Sequence, residues 1–251
     1  MAGHSHSANI KHKKAAIDAK RGKLWSKLSK AIIVAAKMGG GDPDMNPRLR
    51  QAVTDAKAVS MLKDNIERAI KKGTGELAGG DVEELVYEGF GPAGVAVMCD
   101  LMTDNRNRTA PEIRKVFEVC GGNLGATNSV AWMFERKGQF LFPADEVEEE
   151  TLTLAAVEAG AEDVRRDGDV YQVLCEPAVY ADVREGLDRA GFHPQSSGLT
   201  RIPTTTVTVD DPEDARRVLK LMDLLDDHDD IQSVSANFNI TEEALAAATE
   251  E

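Results

Sequence analysis

The chain changes its hydrophobic period once, at a stretch (residues 73–81) that carries four glycines. Before it, apolar residues recur at three- and four-residue spacing, the repeat of an amphipathic helix. Beyond it come short apolar runs broken by turn residues, the mark of strands. A chain with one such switch is neither all-helical nor all-strand. The expected class is α+β, an N-terminal all-helical domain followed by two α/β domains. Charge switches at the same place. Residues 1–75 hold 16 Lys and Arg against 6 Asp and Glu, a net of +10, while the remainder nets −23, giving −13 for the 251-residue chain. A cationic segment of this kind attracts polyanions within about a Debye length, ~8–10 Å, however acidic the remainder is.

The helical part divides at its breakers. Ile17, Leu24, Leu28, Ala31, Ile32 and Ala35 fall on one face of a helix that stops at Gly39-Gly40-Gly41. Asn46-Pro47 starts a second helix, with Asn as N-cap and Pro in the first turn. Ser60 is expected to cap a third helix ending at Lys72-Gly73. Residues 1–75 thus read as a basic helical domain, followed by the linker.

Leu85-Val86-Tyr87 and Val95-Ala96-Val97-Met98 read as strands flanking a glycine-rich turn. Thr109-Ala-Pro-Glu112 reads as a capping box that opens a helix, and residues 129–134 as a strand. Residues 138–202 then run strand, helix, strand, strand, helix, strand, with an Asp167-Gly168 hairpin turn. That order is the ferredoxin-like βαββαβ unit, complete in itself. The remaining strand–helix–strand of the C-terminus cannot bury a sheet alone. It is expected to pair with the earlier strands, giving a discontinuous α/β domain (81–137 plus 203–240) with residues 138–202 inserted.

Little in the sequence suggests catalysis, and the expectation is no enzyme, no cofactor and no metal. Gly73-Thr74-Gly75 lacks phosphate-loop spacing, and no serine or cysteine stands in a nucleophile setting. His4, His6 and His12 have no Cys or carboxylate partners nearby. Asp226-Asp227-His228-Asp229-Asp230 reads as a solvated loop after a helix. Cys99, Cys120 and Cys175 are odd in number and without a CxxC, which suits buried free thiols in a reducing cytoplasm. No run of about 18 apolar residues exists, so no membrane-spanning helix is expected. The polar start of the chain is unlike a secretory signal. Aromatic residues are only 5%, which argues against base-stacking platforms as the main binding mode.

Three constellations suit polyanions instead. Residues 10–37 contain nine basic residues and one acid, Asp18, whereas an ordinary solvated helix mixes Glu with Lys. Lys11, Lys13, Lys14, Lys20, Arg21, Lys23, Lys27 and Lys30 form a stripe, with Lys71 and Lys72 further along. Gly39, Gly40, Gly41, Asp42, Pro43, Asp44, Met45 and Asn46 form a flexible loop, with Arg48 and Arg50 in the first turn beyond it, a setting that suits phosphate. Arg106 and Arg108, in Thr103-Asp-Asn-Arg-Asn-Arg-Thr109, either bind phosphate or pair with Asp104 to hold their loop.

These segments together resemble the YebC/PmpR family, to which the mitochondrial translational activator of cytochrome c oxidase subunit I also belongs. The matching stretches include Met1-Ala-Gly-His-Ser, Ala8-Asn-Ile-Lys-His12, Asp18-Ala-Lys-Arg-Gly-Lys23, residues 39–50, residues 63–75, residues 103–109, Gly121-Gly-Asn-Leu-Gly125 and residues 129–138. One departure is His6-Ser7, where the family usually has Lys-Trp. The resemblance implies three domains and a non-enzymatic regulatory role, either as a DNA-binding transcriptional regulator or as a ribosome-associated factor easing synthesis of stretches such as consecutive prolines. No helix bears Asn, Gln or Arg set to read base edges, and lysines act as phosphate-type point charges. That favours contact with ribosomal RNA or tRNA on the ribosome. DNA is the alternative partner, and a protein-interaction adaptor is a third reading. The oligomeric state is open.

Overall fold

The computed structural model describes residues 21–249. It opens with α1 (Arg21–Gly39), α2 (Pro47–Ala58) and α3 (Lys63–Gly73). Ile32, Leu49, Val53 and Ile66 form their shared core, which continues onto Val82 and Met102 beyond the linker. The helical bundle therefore packs on the strands that follow it. Asn46 caps α2 as the sequence suggests, its side chain accepting from the Leu49 N–H at 3.1 Å. Ser60 does not cap α3. It takes a φ of +57° and closes α2, because Met61 N bonds Ala56 O (2.9 Å) and Ser60 N bonds Lys57 O (2.9 Å), a Schellman ending.

β1 (Glu83–Phe90) and β2 (Ala96–Thr103) pair antiparallel, and α4 (Arg106–Val119) follows with β3 (Asn123–Leu124) on the outer side of β1. The helix starts three residues before the expected capping box. Asn105 is the N-cap, accepting from the Arg108 N–H at 3.1 Å, and Thr109 lies buried inside the helix. Residues 129–133 are not a strand, and only Phe134 of the expected segment is in extended structure. The buried Glu88 carboxylate accepts the N–H groups of Asn128 (2.7 Å), Val130 (2.9 Å) and Ala131 (2.9 Å). With those donors taken, the segment winds into a turn and the 3₁₀ turn Ala131–Met133.

A second sheet holds β4 (Phe134–Pro143), β5 (Asp163–Asp167), β6 (Val170–Cys175) and β7 (Ser196–Pro203), in the antiparallel order β5-β6-β4-β7. With α5 (Glu149–Glu158) and α6 (Tyr180–Arg189) this is the ferredoxin-like arrangement. Phe140, Phe142, Leu152, Val173 and Leu187 fill its core. The β5–β6 turn is Gly168-Asp169 rather than Asp167-Gly168. Asp167 pairs with Val170 as the last strand position, and Gly168 supplies the positive φ of 60°.

The chain then returns to the first sheet. After β8 (Val207–Val209) and α7 (Pro212–Asp226), β9 (Ile231–Ala236) adds to β2, giving the order β3-β1-β2-β9. β9 stops at Ala236, because Asn237 turns inward and its side-chain oxygen accepts the Ala96 N–H at 2.7 Å. β10 (Phe238–Ile240) therefore pairs with β8 in a separate parallel ladder, and α8 (Glu242–Thr249) packs on α7. Val97, Cys99, Leu101, Phe117 and Leu221 seal α4 and α7 against the first sheet. This layout brings the far end of α7 against α1.

Candidate nucleic-acid interface

The described part of the lysine stripe faces protein rather than open solvent. α7 ends at Asp226 with no basic residue in its last turn, and Asp227, Asp229 and Asp230 follow. Carboxylates at a helix C-terminus oppose its dipole. α1 corrects the mismatch from outside. Lys23 reaches the Asp227 carboxylate at 2.8 Å, Lys27 the Asp226 carbonyl at 2.6 Å, and Lys30 the Asp229 carbonyl at 3.0 Å. The Lys23–Asp227 bond raises the lysine's pKa.

Asp230 is the deepest group of this contact, with side-chain exposure of 2% against 16% for its partner Lys30. Its carboxylate receives Lys30, Arg108 (2.8 Å) and the Thr109 hydroxyl (2.6 Å). Burial works against the charge, but those three donors outweigh it and hold Asp230 well below the usual carboxylate range. A carboxylate only accepts, so the hydroxyl chain has one direction. Thr109 donates to Asp230, Thr103 donates to Thr109 at 2.8 Å, and the Asn105 N–H donates to Thr103 at 2.9 Å.

Other expected phosphate ligands are likewise committed. Arg48 forms a two-pronged pair with Glu84, one prong at 3.2 Å. Arg108 holds its loop, bonding Asp104 (3.3 Å) as well as Asp230, which is the second of the two roles the sequence left open for it. The glycine loop is tied as well. Asn46 Nδ2 donates to Ala35 O (2.8 Å) and Gly40 O (2.9 Å), and Asp42 closes a turn on the Asp44 N–H (2.9 Å). A Cβ on Gly39 would lie 2.7 Å from the Asn46 side chain, and one on Gly41 2.8 Å from Thr74. These glycines serve close packing and not flexibility alone.

Arg50, Lys71, Lys72 and Arg106 make no ion pair among the described residues. Lys11, Lys13, Lys14 and Lys20 lie outside the described residues, and Arg21 opens α1. Sequence reasoning passed over Lys37 and Arg68, which likewise carry no ion pair among the described residues. Arg68 stands three and four positions before Lys71 and Lys72, hence on their face of α3, and that spacing was readable. The contact of Gly41 with Ile70 and Thr74 joins the end of α3 to the loop between α1 and α2. Lys37, Arg50, Arg68, Lys71 and Lys72 are therefore carried on turns that meet at one end of the bundle.

Glu112, His228 and Asp230 are the described residues grouped closely enough to suit a metal ion. The groups are already engaged with protein partners. His228 Nδ1 accepts the Asp230 N–H at 3.1 Å, which leaves Nε2 to donate to Glu112 at 3.2 Å, while Asp230 serves Lys30, Arg108 and Thr109. Cys99, Cys120 and Cys175 are buried and unbridged, and burial pushes the thiol of each upward. No described helix is long and apolar enough to cross a membrane.

Comparison with known proteins agrees with this architecture. The profile of the TACO1/YebC protein N-terminal domain matches residues 5–76, and that of the TACO1/YebC second and third domain matches residues 82–238. A "probable transcriptional regulatory protein" of Rhodopirellula baltica is 57% identical over 247 residues, covering 98% of this chain and 100% of the relative. Another of that description, from Geobacter sulfurreducens, is 55% identical over 245 residues, covering 98% of each. The crystal structure of a conserved hypothetical protein from Aquifex aeolicus superposes with a TM-score of 0.87 at 51% identity, covering 95% of this chain and 98% of that one. With both profiles matched along nearly its whole length, the chain belongs to the TACO1/YebC family.

Proposed function

We propose that this chain is a non-enzymatic, nucleic-acid-binding regulator of gene expression that contacts RNA on the ribosome in the cytoplasm and eases synthesis of difficult stretches such as proline runs. The observation that carries this reading is the cationic end of the helical bundle. Lys37, Arg50, Arg68, Lys71 and Lys72 gather there without carboxylate partners among the described residues, in a chain of net charge −13. Unpaired cations on a rigid bundle grip phosphate and supply no base-edge code. Structured RNA, dense in phosphate and recognised by shape, suits such a surface. The relatives described as probable transcriptional regulatory proteins favour a second reading, a DNA-binding transcriptional regulator.

The test is sedimentation of lysate on a sucrose gradient at low and high salt, for the native chain and for Arg68→Glu/Lys71→Glu/Lys72→Glu. Co-migration with ribosomes at low salt is expected, lost in high salt and in the variant. In a purified binding assay each reversed cation should lower the slope of log affinity against log salt by about 1. A protein that stays at the top of the gradient at both salts overturns the ribosomal reading. A single protected DNA footprint at physiological salt would then place the function in transcription.

A further inference from the structure

The contact between α1 and the end of α7 pairs a surface suited to polyanions with a built-in substitute for one. Lys23, Lys27 and Lys30 lie within eight residues of helix, about 10 Å of its length. All three amines sit on oxygens of residues 226–230. Those oxygens combine the negative end of a helix dipole with carboxylates, the field that a phosphate row presents. The contact is uneven. Lys23 and Asp227 are 43% and 32% exposed, a pair of the kind that contributes little, whereas Asp230 is buried and Lys30 largely covered. Beside it runs a cleft of about 740 Å³ whose walls include Ser26, Lys115, Val119 and Leu224. Lys115 has no ion pair among the described residues.

From this arrangement we infer an electrostatic latch: Lys23 and Lys27 are polyanion ligands held in reserve by the acidic end of α7, and a bound polyanion takes them over while Lys30–Asp230 remains as the pivot. The inference rests on the nucleic-acid reading and adds a conformational step to it. Binding at the free end of the bundle (Arg68, Lys71, Lys72) delivers phosphate without opening the latch. A longer polyanion reaching α1 opens it.

The experiment uses the full chain with Gly22→Cys and Glu118→Cys. Both positions are exposed, a Cβ at Gly22 meets nothing within 4 Å, and the three native cysteines are buried. Spin labels at these sites report the distance from α1 to α4 by pulsed electron resonance, with and without a fluorescein-labelled RNA hairpin. Anisotropy of the same hairpin gives the affinity. RNA is expected to lengthen the distance by roughly one helical turn, ~5 Å. Asp227→Asn/Asp229→Asn is expected to lengthen it without RNA and to tighten binding about 5-fold or more. The control Glu146→Gln/Asp210→Asn removes equal charge from exposed positions elsewhere and should do neither. Binding by the native chain at unchanged distance, or equal tightening by the control, overturns the latch and leaves the nucleic-acid reading standing. No hairpin binding by the native chain or either variant, even at low salt, overturns both.

Discussion

Replacing Asp230 with alanine tests whether the α1–α7 contact is a buried hub or a surface ion pair. The substitution removes the carboxylate that Lys30, Thr109 and Arg108 share, leaving the Lys30 ammonium only the Asp229 carbonyl and the buried Thr109 hydroxyl only the Asn105 carbonyl, while Arg108 keeps Asp104 and Glu112 within reach. Removing one partner of a buried ionic cluster costs about 3–5 kcal/mol, chiefly through the uncompensated groups left behind. For a chain of this size each kcal/mol corresponds to about 2–4 °C of melting temperature, so a fall of roughly 6–20 °C is expected. The pH dependence carries a second signature. Asp230 is held below its ordinary value in the folded chain, so its contribution is present above the unfolded value, near ~3.9, and is lost as pH falls from there toward the folded value. In urea unfolding followed by circular dichroism, the native–variant gap should be flat at neutral pH and shrink below about pH 4. A gap under about 1 kcal/mol at neutral pH, the worth of an exposed pair, would refute the hub.

Two further substitutions probe the elements around the site. Asn46→Ala removes the α2 cap and the two bonds to Ala35 and Gly40, so a loss of at least ~1–2 kcal/mol is expected in the same assay. Asn46→Asp should recover part of it, since a carboxylate still caps but cannot donate. Glu88→Gln converts one of two accepting oxygens into a donor facing backbone N–H groups, and should cost about 1–3 kcal/mol. Because Trp132 is 70% exposed and bonds Ser129 O at 3.2 Å within that loop, its fluorescence should change in the same variant.

The helical start, the ferredoxin-like unit and the Asn46 cap were legible because each rests on signals a few residues apart. The misplacements were local competitions that a neighbour won. Asn105 took the cap that Thr109 was expected to provide, Ser60 ended α2 instead of starting α3, and Glu88 captured N–H groups a strand would have needed. In each case the deciding group has a partner that no sequence window around it contains, or two roles that the same residue types can fill.

What the sequence determined by itself is the class of the fold and the excess of cations in the first 75 residues, since period and charge are properties of order and composition. Which cations stand free was decided by tertiary structure alone. Lys23 meets Asp227 across 204 positions and Lys30 meets Asp230 across 200, because β9 returns to the first sheet and swings the end of α7 onto α1. Coulomb attraction depends on distance in space and not along the chain. A lysine stripe that reads as open surface can therefore fold into a contact, leaving the free cations at the other end of the bundle.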